Sequence, residues 1–215
     1  MNKRVVRGLT ASAAVAGAAL MGLSVAAAPA NAAPLPGASK TKAVPGGSVT
    51  INLFDESARV SRAVTNIPTS REVMVSGKVR VTTSGDLNGG AINAGYIVGC
   101  QVDFGASAGA GGGVEAPRGG PVAEAAKNPF GGTGAIKLGP GQAGYVPIVV
   151  SKTDDEITNS FAFTSARGGV VYSNERFGVD GCAGYAQARA RVTVRVKSPT
   201  FVGNITMYGK PFSIG

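Results

Sequence analysis

The sequence predicts an all-β protein over residues 33–215, and three observations lead to that prediction. Downstream of residue 32 no segment shows a sustained helical period, whereas apolar and polar residues alternate with a period of two in several stretches. The apolar positions in these stretches are rich in Val, which favours strands. The 33 Gly and 12 Pro interrupt the stretches at short intervals. These features together predict a single antiparallel β domain.

The first 32 residues have the layout of a secretory signal peptide. Three cations precede an apolar run over residues 9–28, and a small-residue Ala-x-Ala ending follows it. A membrane anchor is the alternative, because the run is about long enough to span a bilayer. The Ala-rich and Gly-rich composition and the Ala-x-Ala ending favour cleavage after Ala32. We therefore expect the protein to be exported.

The alternating stretches that follow predict the strands. Residues 33–47 contain three Pro and are expected to form an extended, loose leader. Residues 54–65 are the only stretch compatible with a short helix. The clearest strand covers residues 187–197, where Ala and Val alternate with polar residues, and Pro199 should end it. Further strands are predicted at residues 49–53, 72–82, 148–150, 161–164 and 170–172.

A basic stripe lies on one face of the strand predicted at residues 187–197. It consists of Arg189, Arg191, Arg195 and Lys197. Such a stripe is typical of a solvated outer face or of a protected edge strand. A channel lining and a contact with an anionic surface are the functional alternatives. Nucleic acid is not an expected partner, because the chain is predicted to be exported and contains no known reader motif.

The chain contains two cysteines, Cys100 and Cys182. In an oxidising compartment an even pair of cysteines forms a disulfide more often than it remains as thiols. Two buried free cysteines that pack as small apolar side chains are the alternative. Export therefore predicts a bridge between Cys100 and Cys182, on the ground of the compartment alone.

The composition argues against an enzyme. The absence of His removes Ser-His-Asp and Cys-His catalysis, and two Cys alone cannot form a zinc site. The acidic residues 154–156 lack the alternating ligands of a calcium loop. The Gly-rich residues 109–113 lack the Lys and Ser/Thr of a phosphate-binding loop. We therefore expect neither catalytic activity nor a cofactor.

Residues 105–144 do not fit the alternating pattern. Gly and Ala dominate this segment, which also contains four Pro and scattered single charges. A segment of about forty residues without evident structure is unusual inside a compact domain. Its flanks look like strands, so the chain leaves a sheet and returns to it. A flexible insert, a functional loop and a long hairpin stabilised from outside the subunit all remain possible interpretations.

Several short motifs carry a resemblance to a known family. They are Ala-Gly-Tyr-Ile-Val-Gly at residues 94–99, Gly-Gly-Val-Val-Tyr-Ser-Asn at residues 168–174, and Tyr-Gly-Lys-Pro-Phe at residues 208–212. With the signal peptide, and in this order and separation, they make the chain resemble the MspA-type porins of the outer membrane of mycolic-acid-containing actinobacteria.

The resemblance implies a homo-oligomer, octameric in the type member, that lies among outer-membrane lipids. Each subunit would form a β-sandwich rim domain and contribute one long hairpin to a shared transmembrane β-barrel. The implied function is passive diffusion of small hydrophilic solutes and ions through a water-filled channel. A secreted β-sandwich interaction protein with a flexible Gly-rich loop is the alternative function.

The resemblance also indicates where the channel would be narrowest. The family's constriction carries adjacent aspartates at the hairpin tip. At the corresponding position this chain has Glu115, Arg118, Glu124 and Lys127, whose formal charges sum to zero. We therefore expect weaker cation selectivity than an acidic pair would give.

Overall fold

A computed structural model of the chain describes residues 32–63, 66–104, 135–153 and 156–215, and these residues form fourteen strands. No helix within these ranges is long and apolar enough to cross a membrane. In chain order the strands are β1 (Ala33–Pro34), β2 (Ala38–Val44), β3 (Gly47–Arg62), β4 (Arg71–Gly85), β5 (Gly90–Cys100), β6 (Ile136–Lys137), β7 (Ala143–Pro147), β8 (Ser151–Thr153), β9 (Glu156–Thr158), β10 (Phe161–Phe163), β11 (Arg167–Asp180), β12 (Ala186–Ser198), β13 (Phe201–Tyr208) and β14 (Phe212–Ser213).

The strands form two sheets in a sandwich-like arrangement, which confirms the all-β prediction. Sheet A has the order β1-β3-β4-β11-β6, with β2 also paired to β3. Sheet B has the order β10-β5-β12-β13, with β7 paired to β5 and β14 paired to β12. The pairing is antiparallel except between β6 and β11, which run parallel. Strands β8 and β9 form a separate two-stranded ribbon.

The core lies between the inner faces of the two sheets, where the period-two pattern places the apolar side chains. In β12 the alternate residues from Ala186 to Val196 are buried, and the intervening residues point outward. The inner face of β4 is formed in the same way by Val73, Val75, Val79 and Val81. The strands predicted at residues 49–53, 72–82 and 187–197 are therefore confirmed.

The predicted loose leader is in part an edge strand, so that prediction was wrong. Strand β2 pairs with β3 over its whole length through a turn at residues 45–46. Lys40 in β2 donates a hydrogen bond from Nζ to the carbonyl oxygen of Thr206 in β13, at 2.6 Å. Because β2 belongs to sheet A and β13 to sheet B, this bond joins the two sheets along one open side of the sandwich.

The helix considered at residues 54–65 does not form, because β3 continues to Arg62. The register between β3 and β4 shifts between Phe54 and Ser57, and Asp55 has a positive φ of 51°. This β-bulge places Leu53 and Ala58 on the same inner face although they are five residues apart. The bulge interrupts the period-two pattern, which explains why the sequence did not predict a continuous strand.

A second bulge lies in β11, directly across β4 from the first. The register between β11 and β4 shifts between Tyr172 and Glu175, and Asn174 donates its backbone N–H to Ser76 Oγ at 2.9 Å. Tyr172 faces Gly77 of β4, where an added Cβ would lie 2.5 Å from the phenol oxygen. Glycine at position 77 therefore leaves the space through which the Tyr172 side chain reaches the core.

The two bulges bring a polar group into the apolar core. Glu56 is only 2% exposed and accepts a hydrogen bond at Oε1 from the Tyr96 hydroxyl at 2.9 Å. The Tyr96 hydroxyl also lies 3.0 Å from that of Tyr172. Glu56 and Tyr172 belong to sheet A and Tyr96 belongs to sheet B, so this buried network joins the two sheets. Glu56 Oε2 has no hydrogen-bond partner.

Burial raises the pKa of Glu56 from its ordinary value of 4.5 to about 7, and the hydrogen bond from Tyr96 offsets only part of this effect. Burial likewise raises the pKa of Tyr96 and of Tyr172. The network is therefore neutral at mildly acidic pH, and one buried negative charge appears on Glu56 when the pH rises through neutrality.

Two smaller differences from the predicted elements concern strand ends. The strand predicted at residues 148–150 is absent, because β7 ends at Pro147. The backbone N–H groups of Ile148 and Val149 both donate to the Ala94 carbonyl, an irregular pattern outside the ladder. The predicted end of β12 is confirmed, since β12 stops at Ser198 before Pro199.

We predict that Glu56→Gln makes the stability less dependent on pH. Because the folded-state pKa is raised, wild-type protein loses free energy of unfolding as the pH rises from about 4.5 to about 7, and the loss persists above that range. The Gln variant does not titrate. Its free energy of unfolding relative to wild type should therefore rise by about 2 kcal/mol between pH 5 and pH 8 in urea denaturation.

Asp55→Asn is the matched control, because Asp55 is the adjacent carboxylate, is exposed, and pairs with Lys78 at 3.0 Å. Asparagine tolerates the positive φ at this position. Because Asp55→Asn keeps Glu56, its free energy of unfolding should follow the pH dependence of wild type between pH 5 and pH 8. An equal difference between wild type and Glu56→Gln at pH 5 and pH 8 would contradict the assigned burial of this charge.

Candidate functional site

Residues 101–104, the last ones described before residues 105–134, lie at one end of sheet B. After β5 ends at Cys100, the chain crosses the outer face of that sheet, and Phe104 is 1% exposed there. Its backbone N–H donates to Gln187 Oε1 at 2.9 Å. A Cβ at Gly99 would lie 2.9 Å from the Phe104 ring, so glycine permits the close approach. The segment therefore begins from a fixed position.

The chain returns to the sandwich at the same end, but on sheet A. Ile136 pairs in parallel with Val179 of β11, and the Leu138 N–H donates to the Asp180 carbonyl at 2.9 Å. Ile136 and Leu138 are both buried in the core. The Cys100 N–H donates to the Gln142 carbonyl, and the Cys100 carbonyl accepts from the Gly141 N–H. These two bonds tie residues 141–142 to the end of β5.

Cys100 and Cys182 lie between these two attachment points, at disulfide distance. Their Cα atoms are 5.5 Å apart, both residues are fully buried, and 82 positions separate them in sequence. Arg71 at the start of β4 donates from Nη1 to the Cys182 carbonyl at 2.7 Å and from Nη2 to the Gly184 carbonyl. The turn that carries Cys182 is thus held by side chains from both sheets.

The basic stripe occupies the outer face of β12. This strand lies inside sheet B, with β5 on one side and β13 and β14 on the other, so the edge-strand interpretation was wrong. We call Arg189, Arg191, Arg195 and Lys197 the cationic face. Arg195 and Lys197 are exposed, whereas Arg189 and Arg191 are half-buried.

Aromatic rings hold the two half-buried arginines. The Arg189 guanidinium lies 4.3 Å from the Tyr208 ring centroid and 4.8 Å from that of Phe104, and Arg191 lies 5.1 Å from that of Tyr145. The Tyr145 hydroxyl donates to Asn93 Oδ1. Burial lowers the pKa of Arg189 and raises that of Tyr145. The Arg189 guanidinium still carries its charge at neutral pH.

The described residues include only part of the predicted site. Glu115, Arg118, Glu124 and Lys127 lie outside them, as do residues 1–31 of the predicted signal peptide and residues 105–134 of the predicted excursion. Residues 135–144, its last part, belong to the sandwich through β6 and the first residues of β7. Among the described residues, no three His, Cys, Asp or Glu side chains come together as a metal would require.

The residues that hold the two sides of residues 105–134 were not predicted from the sequence. Arg71 lies at the start of β4, and its hydrogen bonds to residues 182 and 184 connect distant parts of the chain. Phe104 looked like the end of a strand. The available signal was the glycine at position 99, close in sequence to Phe104. A buried aromatic ring needs a small residue where it crosses a strand.

We predict that mature protein, denatured without a reductant, has no free thiol. Thiol titration should find none before reduction and two per chain after it. The double variant Cys100→Ala with Cys182→Ala should lose about 2–5 kcal/mol of unfolding free energy, because the bridge closes a long loop in the unfolded chain. Two reactive thiols per unreduced chain would contradict the bridge.

The comparisons with known proteins agree with this architecture. The profile of the MspA family matches residues 45–213, from the β2–β3 turn to β14, which is more than three quarters of the chain. No curated protein matches the sequence. The matched range includes both attachment points, both cysteines and the cationic face. On the extent of this match, the chain belongs to the MspA family of porins.

Proposed function

We propose that this protein is an oligomeric outer-membrane porin that forms a water-filled channel for the passive diffusion of small hydrophilic solutes and ions. The observation that supports the proposal most directly is the position of the residues that flank residues 105–134. Phe104 and Ile136 lie at the same end of the sandwich, in a chain that belongs to a porin family. The proposed location is the outer membrane of a mycolic-acid-type cell envelope.

The length of the segment suits a membrane hairpin. A transmembrane β-strand needs about 9–11 residues, so two strands need about 18–22. Residues 105–134 provide 30, which leaves enough for a turn and two short connections. Its ends are held by Phe104 on one side and Ile136 on the other, so both strands of such a hairpin would start from fixed points.

A hairpin in a membrane requires further copies of the chain. One hairpin alone would leave the backbone N–H and C=O groups of its two edges without partners in hydrocarbon. A closed barrel built from several hairpins pairs every edge and encloses an aqueous lumen. We therefore propose a homo-oligomer, with eight copies as the number that the family resemblance implies.

We predict that purified protein produces stepwise conductance in a planar lipid bilayer. Deletion of residues 111–131 should abolish the conductance, because it removes most of the proposed hairpin. The deletion should leave the circular dichroism spectrum of a β protein, since the core lies between sheets A and B in the described residues. Unboiled wild-type samples should also show high-mass bands in SDS gels.

Two results would argue against this function. A folded, oligomeric wild-type protein that remains silent in the bilayer would favour the secreted interaction protein instead. A deletion variant that still conducts would show that the channel is formed by another part of the chain. Loss of the β spectrum in the deletion variant would show that residues 111–131 contribute to the core.

We further predict that charges at the proposed hairpin tip act on selectivity in opposite directions. In an octamer each charge occurs eight times around a lumen, and at roughly 0.1 M salt the Debye length of about 10 Å only partly screens such a ring. In a salt gradient Glu124→Gln should shift the reversal potential toward anions, and Lys127→Gln should shift it toward cations. Glu115 and Arg118 form a second pair of opposite sign for the same measurement. Unchanged reversal potentials in all four Gln variants would place the constriction elsewhere.

A further inference from the structure

The cationic face carries four positive charges that no carboxylate of the described residues is seen to neutralise. Among the described residues, no carboxylate forms an ion pair with any of the four. The six strands of sheet B contain no Asp or Glu at all. Sheet A differs in this respect, because Lys78 pairs with Asp55 and Arg176 pairs with Glu72 there. The excess positive charge is therefore a property of one face.

The aromatic rings hold the two half-buried arginines in place. Nε of Arg189 and Nε of Arg191 are buried, and neither has a hydrogen-bond partner among the described residues. The rings of Phe104, Tyr145 and Tyr208 restrict the guanidinium groups, so little side-chain entropy would be lost when an anion binds.

In addition to the cations and the aromatic rings, the face carries several polar, uncharged side chains. By register, Asn93, Thr193 and Thr206 form one row across β5, β12 and β13, and the two Thr hydroxyls lie 3.0 Å apart. Asn204 lies beside Arg195 in the next row. Val202, beside Lys197, is the large apolar side chain exposed on β13. This composition suits contact with water and dissolved ions better than contact with an apolar protein surface.

We propose that the cationic face lines the aqueous path of the channel and concentrates small anionic solutes that carry phosphate or carboxylate groups. The inference rests on the proposed porin function and adds a class of solute to it. Within the pairs Arg189/Arg191 and Arg195/Lys197 the cations are two residues apart along β12, about 7 Å, which is less than the Debye length of about 8 Å at physiological salt. The potentials within each pair therefore add and attract anions, and the two pairs lie four residues, about 14 Å, apart along the strand.

The test compares two double variants that each remove two positive charges. Arg195→Gln with Lys197→Gln changes the exposed half of the cationic face and leaves the ring-held arginines in place. Arg80→Gln with Arg167→Gln is the matched control on the outer face of sheet A, where both side chains are exposed. In bilayers with a potassium phosphate gradient, the first variant should lower the phosphate-to-potassium permeability ratio by about twofold or more. The control should leave the ratio unchanged.

Every other result contradicts the inference. An equal change in both variants would show a general effect of net charge, and conducting channels with no change in the first variant would show that the face lies outside the aqueous path. Loss of the high-mass band in the first variant alone would assign the face to contacts between copies. A wild-type protein that forms no channel would overturn the porin function and the inference together. A channel that conducts but does not respond to the first variant would overturn the inference alone, so the two failures can be told apart.

Discussion

The structure depends on one constraint: Phe104 and Ile136, which lie on either side of residues 105–134, have to be held at the same end of a β-sandwich whose core stays closed. Both attachment points lie at the same end of the sandwich, one on the outer face of sheet B and one at the edge of sheet A. Between them, the cysteine pair and the hydrogen bonds of Arg71 hold the turn that joins β11 to β12. The residues on either side of residues 105–134 are therefore fixed by contacts within the described sandwich.

Regular alternation was sufficient to predict most of the sheet. Where one face is buried and the other solvated, as in β12, the alternation of apolar and polar residues identifies both faces of the strand. The prediction failed where the period was interrupted. The bulge near Asp55 shifts the pattern of β3 by one residue. The Pro-rich leader contains the edge strand β2, which was not predicted because its pairing depends on β3 rather than on its own composition.

The functional region was predictable to a smaller extent. The cysteine pair followed from the expected compartment, and the cationic residues could be assigned to one face because their strand was regular. The position of β12 inside sheet B could not be predicted, since strand order depends on contacts between distant parts of the chain. The same reason applies to Glu56, which looked like a surface carboxylate in an acidic dipeptide and is one of the most deeply buried residues.

The paired bulges on either side of β4 have a consequence for how the chain tolerates changes in length. A strand with regular neighbours can slip by two residues and keep its buried face, because the side-chain pattern repeats. β4 faces an irregularity in β3 and another in β11 at the same level, so a slip would leave both bulges opposite the wrong residues. An insertion or deletion near Gly77 would have to be matched on two other strands at once. Variation in length is therefore expected to accumulate in the loops of this protein and to be excluded from β4.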